Sequence, residues 1–370
     1  MNPTAPSPTI DRRRFMAFLG GFGLVGLAAD QLWAVATQGA VSVNDIEGAA
    51  HIAGLDLTED ERDLMVEGVN ELREDFAKIR SISLDNSVAP ALQFDPRLPG
   101  FDYDPGPRRF RPSRPIPLAV PEDLEELAFL PVTQLAQLIR TRKVTSEALT
   151  TMYIERLKRY DPTLHCVITL TEERALAQAQ RVDREIARGR YRGPLHGIPW
   201  GAKDLLAVRG YPTTWGAKPY REQQFDEDAT VVRRLDAAGA VLVAKLTMGA
   251  LANGDVWFGG KTRNPWNPEE GSRGSSAGSA SAVAAGLVGF AIGTETRGSI
   301  LSPCTRCGAT GLRPTYGLVS RHGAMTLSWS MDKIGPICRA VEDCALVFDS
   351  ICGPDGRDAV SYTHLTLPTS

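Results

Sequence analysis

The chain has 370 residues, of which 43% are hydrophobic, so it is long enough to bury one large core or two modest ones. Its 44 acidic residues nearly balance 41 basic residues, and the formal net charge is −3. This balance gives no support to direct binding of nucleic acid or to attraction by an acidic membrane surface.

Residues 1–36 predict an export signal. The arginines from Arg12 to Arg14 precede a glycine-spaced apolar run from Phe15 to Ala29, and Ala34-Val35-Ala36 offers a small-residue cleavage site. The pattern resembles a twin-arginine signal. Because the apolar run is short for a membrane span, we expect a periplasmic or membrane-associated protein with no stable span once the signal is cleaved. An uncleaved N-terminal anchor is the alternative.

Residues 37–95 predict a small helical segment. Thr58 to Glu61 form a capping-box signature, and apolar side chains recur at helical spacing from Leu64 to Ile79. Residues 96–121 are rich in proline and arginine and have no apolar period. They predict a linker or an extended arm on the surface.

The next part of the chain alternates between helical and strand patterns. Helices are predicted over 131–142, over 146–160 with Thr145 as the cap, over 171–188 and over 230–238. Strands are predicted over 165–170 and 240–245. This alternation indicates an α/β architecture.

The stretch from Gly271 to Ser302 contains two glycine- and serine-rich turns around an apolar segment. A small-residue helical run and a short apolar strand separate the first turn from the second, which ends in Gly298-Ser299. Because glycine lets backbone amides approach a bound group closely, the two turns predict an anion or oxyanion site. A flexible linker is the alternative, although linkers do not enclose an apolar run such as Ala280 to Ile292.

A serine nucleophile in these turns needs a base that takes its proton. None of the five histidines falls in a recognisable triad pattern. Lys203 follows a turn shaped by glycine and proline, His196 to Ala202, and burial makes a lysine lose its charge readily. Lys203 is therefore the candidate base. Lys245 is a competing candidate, which we interpret as a solvated or paired charge at the end of its strand.

Four motifs in a fixed order carry a resemblance to a known family. They are G-I-P-x-x-x-K-D at 197–204, G-S-S-x-G-S at 274–279, T-x-T-x-G-S-I-x-x-P at 294–303 and G-x-x-G-L-R-P-T at 308–315. Together they resemble the amidase signature family, whose members use a Ser-Ser-Lys triad. We therefore expect an amidase signature domain over residues 122–359.

The resemblance implies a mixed central β-sheet flanked by helices, preceded here by the small helical segment. It implies an amidohydrolase that acts on a linear carboxamide through an acyl-enzyme, with Lys203 as base, Ser275 as the bridging serine on a cis peptide and Ser299 as nucleophile. The implied oxyanion hole consists of the backbone amides of Thr296, Arg297, Gly298 and Ser299. The implied partner is a small-molecule amide, with a homodimer possible in solution, and no cofactor or metal is implied.

Three positions depart from the family pattern. Arg273 stands where a glycine usually precedes the bridging serine, and Ala277 stands where a second glycine is common. Arg297 replaces a glycine in the turn before the nucleophile. Arg297 therefore bears on the shape of the oxyanion loop and on the substrate entrance.

Several alternatives remain open at this stage. Residues 274–278 also fit the G-x-S-x-G nucleophile elbow of α/β-hydrolases with Ser276 as nucleophile, although that elbow must follow a buried strand. A second alternative is the glutaminase subunit of a glutamyl-tRNA(Gln) or aspartyl-tRNA(Asn) amidotransferase. In that case the helical segment over residues 37–95 resembles the small helical protein that wraps the glutaminase in such complexes. An amphipathic hairpin on the core explains that segment equally well. An inactive binding relative is the non-enzymatic alternative.

The cysteines and the last residues complete the sequence predictions. Cys304 and Cys307 have the spacing of a redox or metal pair, but zinc needs further ligands at suitable spacing, so we interpret them as buried packing residues. Disulfides are the alternative in an exported chain. Residues 360–370 resemble the translation of a sequencing-library adapter, which makes us expect that the amidase domain is incomplete at its C-terminal end.

Overall fold

The computed structural model describes residues 39–83, 113, 116 and 118–360. They belong to two units, which are divided between residues 84 and 85. The predicted signal, most of the predicted linker and residues 361–370 lie outside the described part of the chain, so those three predictions stay predictions.

The described residues of the first unit form two helices, α1 (Val43–Ala53) and α2 (Glu59–Ser81). Thr58 accepts a hydrogen bond from the amide of Glu61, and the Glu61 carboxylate accepts one from the amide of Thr58. The predicted capping box is therefore confirmed, because this exchange satisfies two amides that the helix leaves without partners. The apolar side chains at helical spacing, including Leu64 and Ile79, are exposed.

The second unit is built on a six-stranded mixed sheet with the strand order β1-β3-β2-β8-β10-β9. The central strands β3, β2 and β8 run parallel, and the outer pairings are antiparallel. Two short hairpins, β4-β5 and β6-β7, lie outside this sheet. The strands are β1 (Val167–Leu170), β2 (Pro199–Lys203), β3 (Val241–Leu246), β4 (Val256–Trp257), β5 (Gly260–Lys261), β6 (Arg263–Asn264), β7 (Asn267–Gly271), β8 (Phe290–Glu295), β9 (Thr310–Gly311) and β10 (Lys333–Cys338).

Helices cover both faces of the sheet, as parallel strands require, because both of their faces must be buried. In one apolar cluster, Trp200 and Phe290 of the sheet pack with side chains of the first and last helices of the unit. In the other cluster, Val243 and Ala291 of the sheet pack with side chains of the middle helices. The predicted α/β architecture with a mixed central sheet is confirmed. The helices are α3 (Val132–Arg140), α4 (Ser146–Leu164), α5 (Glu172–Ala187), α6 (Thr230–Ala238), α7 (Ala277–Ala284), α8 (Leu301–Cys307) and α9 (Val341–Ile351).

Most predicted elements of the unit are found within a few residues of their predicted ends. The main difference among the helices is α4, which continues past residue 160 to Leu164 before His165 adopts a left-handed conformation with φ 48°. The Asp161 carboxylate accepts hydrogen bonds from the amides of Cys166 and Val167, so the chain leaves this helix with its backbone donors satisfied. Within the described residues, no helix combines the length and the apolar character needed to cross a membrane.

The interpretation of residues 196–202 as a turn is wrong from Pro199 onward, because residues 199–203 form the central strand β2. Proline is tolerated at the first position of a strand. Gly201 faces Leu246 so closely that an added Cβ would lie 2.3 Å from Leu246 Cδ1, so a side chain at position 201 would require the buried Leu246 to move. Lys203 is therefore the last residue of a central strand.

Candidate active site

The side chain of Lys203 is buried at the end of β2 and is surrounded by oxygen atoms. Its Nζ lies 2.8 Å from Ser275 Oγ, 2.8 Å from Thr294 Oγ1 and 3.1 Å from Ser276 Oγ. A fourth oxygen, the carbonyl of Thr294, lies at 3.4 Å. No carboxylate of the described residues forms an ion pair with Lys203, so hydroxyl and carbonyl groups alone solvate the amine.

Burial lowers the pKa of Lys203 from 10.5 to about 7, and the negative charges of Asp332 and Glu295 offset part of that decrease. Desolvation disfavours the ammonium form because the buried charge loses its hydration. A substantial fraction of Lys203 is consequently an uncharged amine at neutral pH. An uncharged amine has a lone pair that can accept the proton of the Ser275 hydroxyl.

Ser275 is held in a loop that comes close to another segment of backbone. The peptide bond between Gly274 and Ser275 is cis, as the resemblance implied. A Cβ at Gly274 would lie 1.9 Å from the carbonyl oxygen of Gly254, so a side chain at this position would collide with the neighbouring loop. Ser275 is almost completely buried, and its hydroxyl contacts Lys203.

The hydroxyl of Ser276 is fully engaged in bonds to the backbone. It donates to the carbonyl of Thr294 and accepts from the amide of Thr294, both at 3.1 Å, in addition to its contact with Lys203. It precedes α7, whose eight residues are all buried. The strand before it is the mostly exposed β7 of a small hairpin rather than a buried strand of the main sheet. These features contradict the nucleophile-elbow alternative, in which Ser276 must be free to attack.

The turn that contains Ser299 connects β8 to α8 and lies next to the Ser275 loop. The amide of Ser276 donates to the carbonyl of Ser299 at 3.0 Å, which joins the two predicted serine turns. Ser299 is half-buried, and its hydroxyl makes no hydrogen bond with any described residue, Ser275 included. The structure thus brings Lys203 and Ser275 into contact and places the backbone of Ser299 beside them, with the Ser299 hydroxyl unbound.

Glu295 fixes the far end of this turn. Its buried carboxylate accepts hydrogen bonds from the amides of Ile300 and Leu301, each at 2.9 Å, and pairs with Arg313 at 3.0 Å. Thr296 is held from the other side, because its hydroxyl donates to Asp332 at 2.6 Å and its carbonyl accepts from Lys333 at 2.8 Å. The ends of the turn are therefore anchored by charged side chains.

The predicted oxyanion amides lie between these anchors. The backbone amides of residues 296–299 donate no hydrogen bond to any part of the chain that the structure describes. Arg297 is exposed, so its side chain does not fill the turn. Amides without internal acceptors in a fixed turn are available to bind an anion.

Lys245 is buried and paired rather than solvated. Its Nζ lies 2.8 Å from Asp204 Oδ1 and donates to the carbonyl of Pro212 and the hydroxyl of Thr213, both at 2.6 Å. The paired part of the interpretation is confirmed and the solvated part is wrong. Burial lowers the pKa of Lys245, and the carboxylate of Asp204 offsets part of that decrease. Its amine is occupied by Asp204, Pro212 and Thr213 and contacts neither serine turn in the described residues, so its position does not suit it to be the base.

Cys304 and Cys307 are buried free thiols on α8. Burial raises the pKa of both thiols, which leaves them protonated and unreactive. The described residues contain no group of three or more histidine, cysteine or acidic side chains arranged to hold a metal ion. The packing interpretation of this pair is confirmed.

Sequence reasoning missed the contribution of Thr294. This residue lies within the T-x-T-x-G-S motif, but its role is visible only in space, where its hydroxyl and carbonyl contact Lys203 and its backbone binds Ser276. The anchoring carboxylates of Glu295 and Asp332 were missed for the same reason. The only sequence signal for these contacts was the T-x-T-x-G-S motif, which contains Thr294 and Glu295.

Comparison with known proteins identifies the class of protein that this fold and site define. A family model described as Amidase matches residues 148–366, which is more than half of the chain. The chain belongs to the amidase family.

Three relatives illustrate the similarity. A glutamyl-tRNA(Gln) amidotransferase subunit of Moorella thermoacetica is 43% identical over 239 residues, which are 64% of this chain and 49% of that protein. The peptide amidase of Stenotrophomonas maltophilia is 40% identical with a TM-score of 0.62, over 66% of this chain and 51% of that one. An amidase family protein of Bacillus anthracis is 32% identical with a TM-score of 0.61, over 65% and 50%. The chain spans about half the length of the relatives it matches.

Proposed function

We propose that this protein hydrolyses a carboxamide C–N bond with Lys203, Ser275 and Ser299 as its catalytic residues. The observation that carries the proposal is the buried Lys203 amine, which has a pKa of about 7 and lies 2.8 Å from Ser275 Oγ. A strongly perturbed base in contact with a hydroxyl is the arrangement that activates a serine nucleophile. Membership of the amidase family and similarity to a peptide amidase support the same chemistry.

In the acylation step, uncharged Lys203 accepts the proton of Ser275 while Ser275 takes the proton of Ser299. Ser299 Oγ attacks the carbonyl carbon, and the C=O electron pair moves onto oxygen. The proton then returns through Ser275 to the amide nitrogen, the C–N bond breaks and the amine leaves. Water attacks the resulting ester by the same proton route, which releases the acid and restores Ser299.

The negative oxygen of the tetrahedral intermediate requires donors that are already in place. The amides of residues 296–299 have no acceptor in the described part of the chain, and Glu295 and Lys333 hold the turn at its two ends. Each such donor contributes about 2.7–4 kcal/mol to the stability of the transition state.

The mechanism requires the Ser299 hydroxyl to come within hydrogen-bond distance of Ser275 when substrate binds. In the structure without substrate, the Ser299 hydroxyl makes no bond to the described residues. Catalytic hydrogen bonds are often long before substrate binds and shorten in the complex. The backbone bond between Ser276 and Ser299 already keeps the two turns adjacent.

A fluorophosphonate probe tests the nucleophile directly. We expect mass spectrometry to find the adduct on Ser299, and we expect Ser299→Ala and Lys203→Ala to lower amide hydrolysis by at least about a thousandfold. Ser276→Ala is the comparison variant, because it removes the nucleophile of the elbow alternative. Its hydroxyl also contacts Lys203 at 3.1 Å, so we expect it to lower turnover less than Ser299→Ala does and to leave the probe adduct on Ser299. An adduct on Ser276, or wild-type turnover in Ser299→Ala, would refute the assignment.

A glutaminase subunit of a tRNA-dependent amidotransferase is the second candidate function. It is favoured by the 43% identity to the glutamyl-tRNA(Gln) amidotransferase subunit of Moorella thermoacetica. The near balance of charge and the export-signal pattern argue against it, because that work requires cytosolic tRNA and ATP. Co-purification of the native protein with a tRNA-binding partner would favour the glutaminase.

We also propose that the twin-arginine-like pattern directs export of the folded protein. Arg12 to Arg14 and the following apolar run support this proposal. Replacement of all three arginines by lysine keeps the charge, and we expect it to trap a reporter fusion in the cytoplasm. Unchanged export of that variant would reject the signal.

A further inference from the structure

A large cleft opens beside the proposed reaction centre. A cavity of about 20 Å³ lies against Ser275 and Thr294, and a cleft of about 620 Å³ adjoins it. The two share part of their lining, including Leu205, Met325 and Leu327. A cleft of that volume is large enough for a small organic ligand. Its position allows a ligand to occupy the cleft while one of its groups reaches toward Ser275, which lines the smaller cavity.

The wall of the cleft is rich in aromatic and bulky apolar side chains. Trp215 and Phe225 are stacked with ring centroids 6.1 Å apart, and they contribute to the wall together with Leu251, Leu327 and Trp329. The last three side chains are each close to half exposed. Apolar side chains grouped at a surface in this way favour ligands that bury them.

The backbone of the wall is held in an uncommon conformation. Trp215 and Leu251 both have left-handed backbones, with φ of 53° and 50°, which bulky residues rarely adopt. The amide of Leu251 donates to the carbonyl of Trp215, and the amide of Trp215 donates to the carbonyl of Asp204. Asp204 directly follows Lys203, so this chain of bonds fixes the apolar wall relative to the base. Backbone conformations of this kind cost free energy, and they cluster at functional sites, where the surrounding structure holds them in place.

The charged groups of the cleft are largely occupied by one another. Arg321 binds Asp358 through two hydrogen bonds of 3.0 Å, and His322 contacts Glu227 at 3.0 Å. Arg357 is exposed and contacts the imidazole of His322 at 3.3 Å. Both carboxylates of this lining therefore already have a partner among the described residues, Asp358 with Arg321 and Glu227 with His322.

We propose that this cleft selects carboxamides that carry an aryl or other large apolar group, and that Leu251 and Trp329 are specificity-determining residues. The preference in turnover rests on the proposed amide hydrolysis, whereas the preference in binding does not depend on it. The apolar group lies against the tryptophan and leucine side chains while the amide carbonyl faces Ser299. Transfer of a phenyl group from water to such a wall strengthens binding by at least about tenfold.

The test compares propionamide with two aryl derivatives, 3-phenylpropionamide and N-benzylpropionamide, on the purified gene product. We expect at least one aryl amide to exceed propionamide in kcat/KM by about tenfold or more. Trp329→Leu and Leu251→Ala are each expected to reduce that ratio about tenfold. Trp266→Leu is the matched control, because Trp266 is an exposed tryptophan on the β6-β7 hairpin outside both cavities, and the ratio should not change.

Calorimetry on Ser299→Ala measures binding apart from turnover. We expect the preferred aryl amide to bind at least tenfold more tightly than propionamide, and we expect Trp329→Leu in the same background to remove that difference. Binding with this preference but no hydrolysis by the wild type would reject the proposed function and support the cleft. Hydrolysis with no preference for either aryl amide, or a ratio unchanged in both cleft variants, would overturn the cleft proposal.

Discussion

At the scale of single residues, the amine of Lys203 determines how the protein should respond to pH. The proposed reaction needs the uncharged amine, so its rate should depend on the fraction of Lys203 that has lost its proton. Burial lowers its pKa to about 7, which puts this change near neutrality. We expect kcat/KM for a neutral amide to rise about tenfold per pH unit below 7 and to reach a plateau above it.

The measurement is a pH–rate profile of kcat/KM with an uncharged amide. Lys203→Arg is the matching variant, because it retains a cation that does not deprotonate in this range and should show no comparable rise. A wild-type profile that is flat between pH 5 and 8 would contradict the role of Lys203 as base.

Glu295 carries a second prediction at this scale. Its carboxylate binds the amides of Ile300 and Leu301, so Glu295→Ala should release the turn that holds Ser299. We expect the rate of fluorophosphonate labelling to fall about tenfold or more, since a small misplacement of reacting groups is costly. Glu295→Gln keeps an acceptor oxygen and should recover part of the rate. Equal labelling by all three proteins would show that the carboxylate has no positioning role.

At the scale of secondary-structure elements, the packing of α7 explains its small residues. Gly278 approaches the residue before β1 and the residue after β3 so closely that an added Cβ would lie 2.4 Å from the carbonyl oxygen of Cys166 and 2.5 Å from the amide of Thr247. The amide of Gly278 also donates to the carbonyl of Thr247 at 2.9 Å. A larger residue here must push the helix away from the sheet.

Gly278→Ala should therefore lower the free energy of unfolding by about 1–3 kcal/mol through overpacking. Gly68→Ala is the matched control, because Gly68 lies in the exposed interior of α2 with nothing within 4 Å of its Cβ position. Alanine has the higher helix propensity, so this control should stabilise its helix by up to about 1 kcal/mol. Thermal and denaturant unfolding, followed by circular dichroism, measures both changes.

The elements also show what the sequence could and could not predict. Helix 230–238 was predicted at its observed bounds, because its apolar spacing is regular and Gly239 ends it in a left-handed conformation. The glycines and proline of residues 196–202 favour a turn, because these residues usually interrupt strands, whereas the structure forms strand β2 from Pro199 onward. Its place between β3 and β8 depends on pairing partners distant in the sequence, which local patterns do not contain. Local patterns do not show contacts between distant segments, so they also gave no indication that Thr294 contacts Lys203.

At the scale of the whole molecule, contacts between distant segments hold the second unit together. The Asp343 carboxylate, on α9, accepts hydrogen bonds from the amides of Val132 and Thr133 at 2.9 and 3.1 Å. These amides begin α3, which has no cap from its own preceding residue. One buried side chain thereby caps a helix that lies 211 residues earlier in the chain.

Asp343→Ala should lower the free energy of unfolding by about 1–3 kcal/mol, because it leaves buried amides without an acceptor. Asp343→Asn retains an acceptor oxygen and should cost less. Asp349→Ala is the control on the same helix, since Asp349 is exposed. Denaturant unfolding of the four proteins provides the comparison, and equal stability of Asp343→Ala and Asp349→Ala would contradict the long-range cap.

The division of the reacting groups between segments has an evolutionary consequence. Both serine turns lie in one stretch of about thirty residues and are joined by the bond between Ser276 and Ser299, whereas the amine comes from a strand more than seventy residues earlier. Under the proposed mechanism, a single replacement at position 203 would therefore inactivate a descendant while leaving every hydroxyl in place. Inactive members of such a lineage are better recognised by the residue that ends the central strand than by their intact serine-rich stretch.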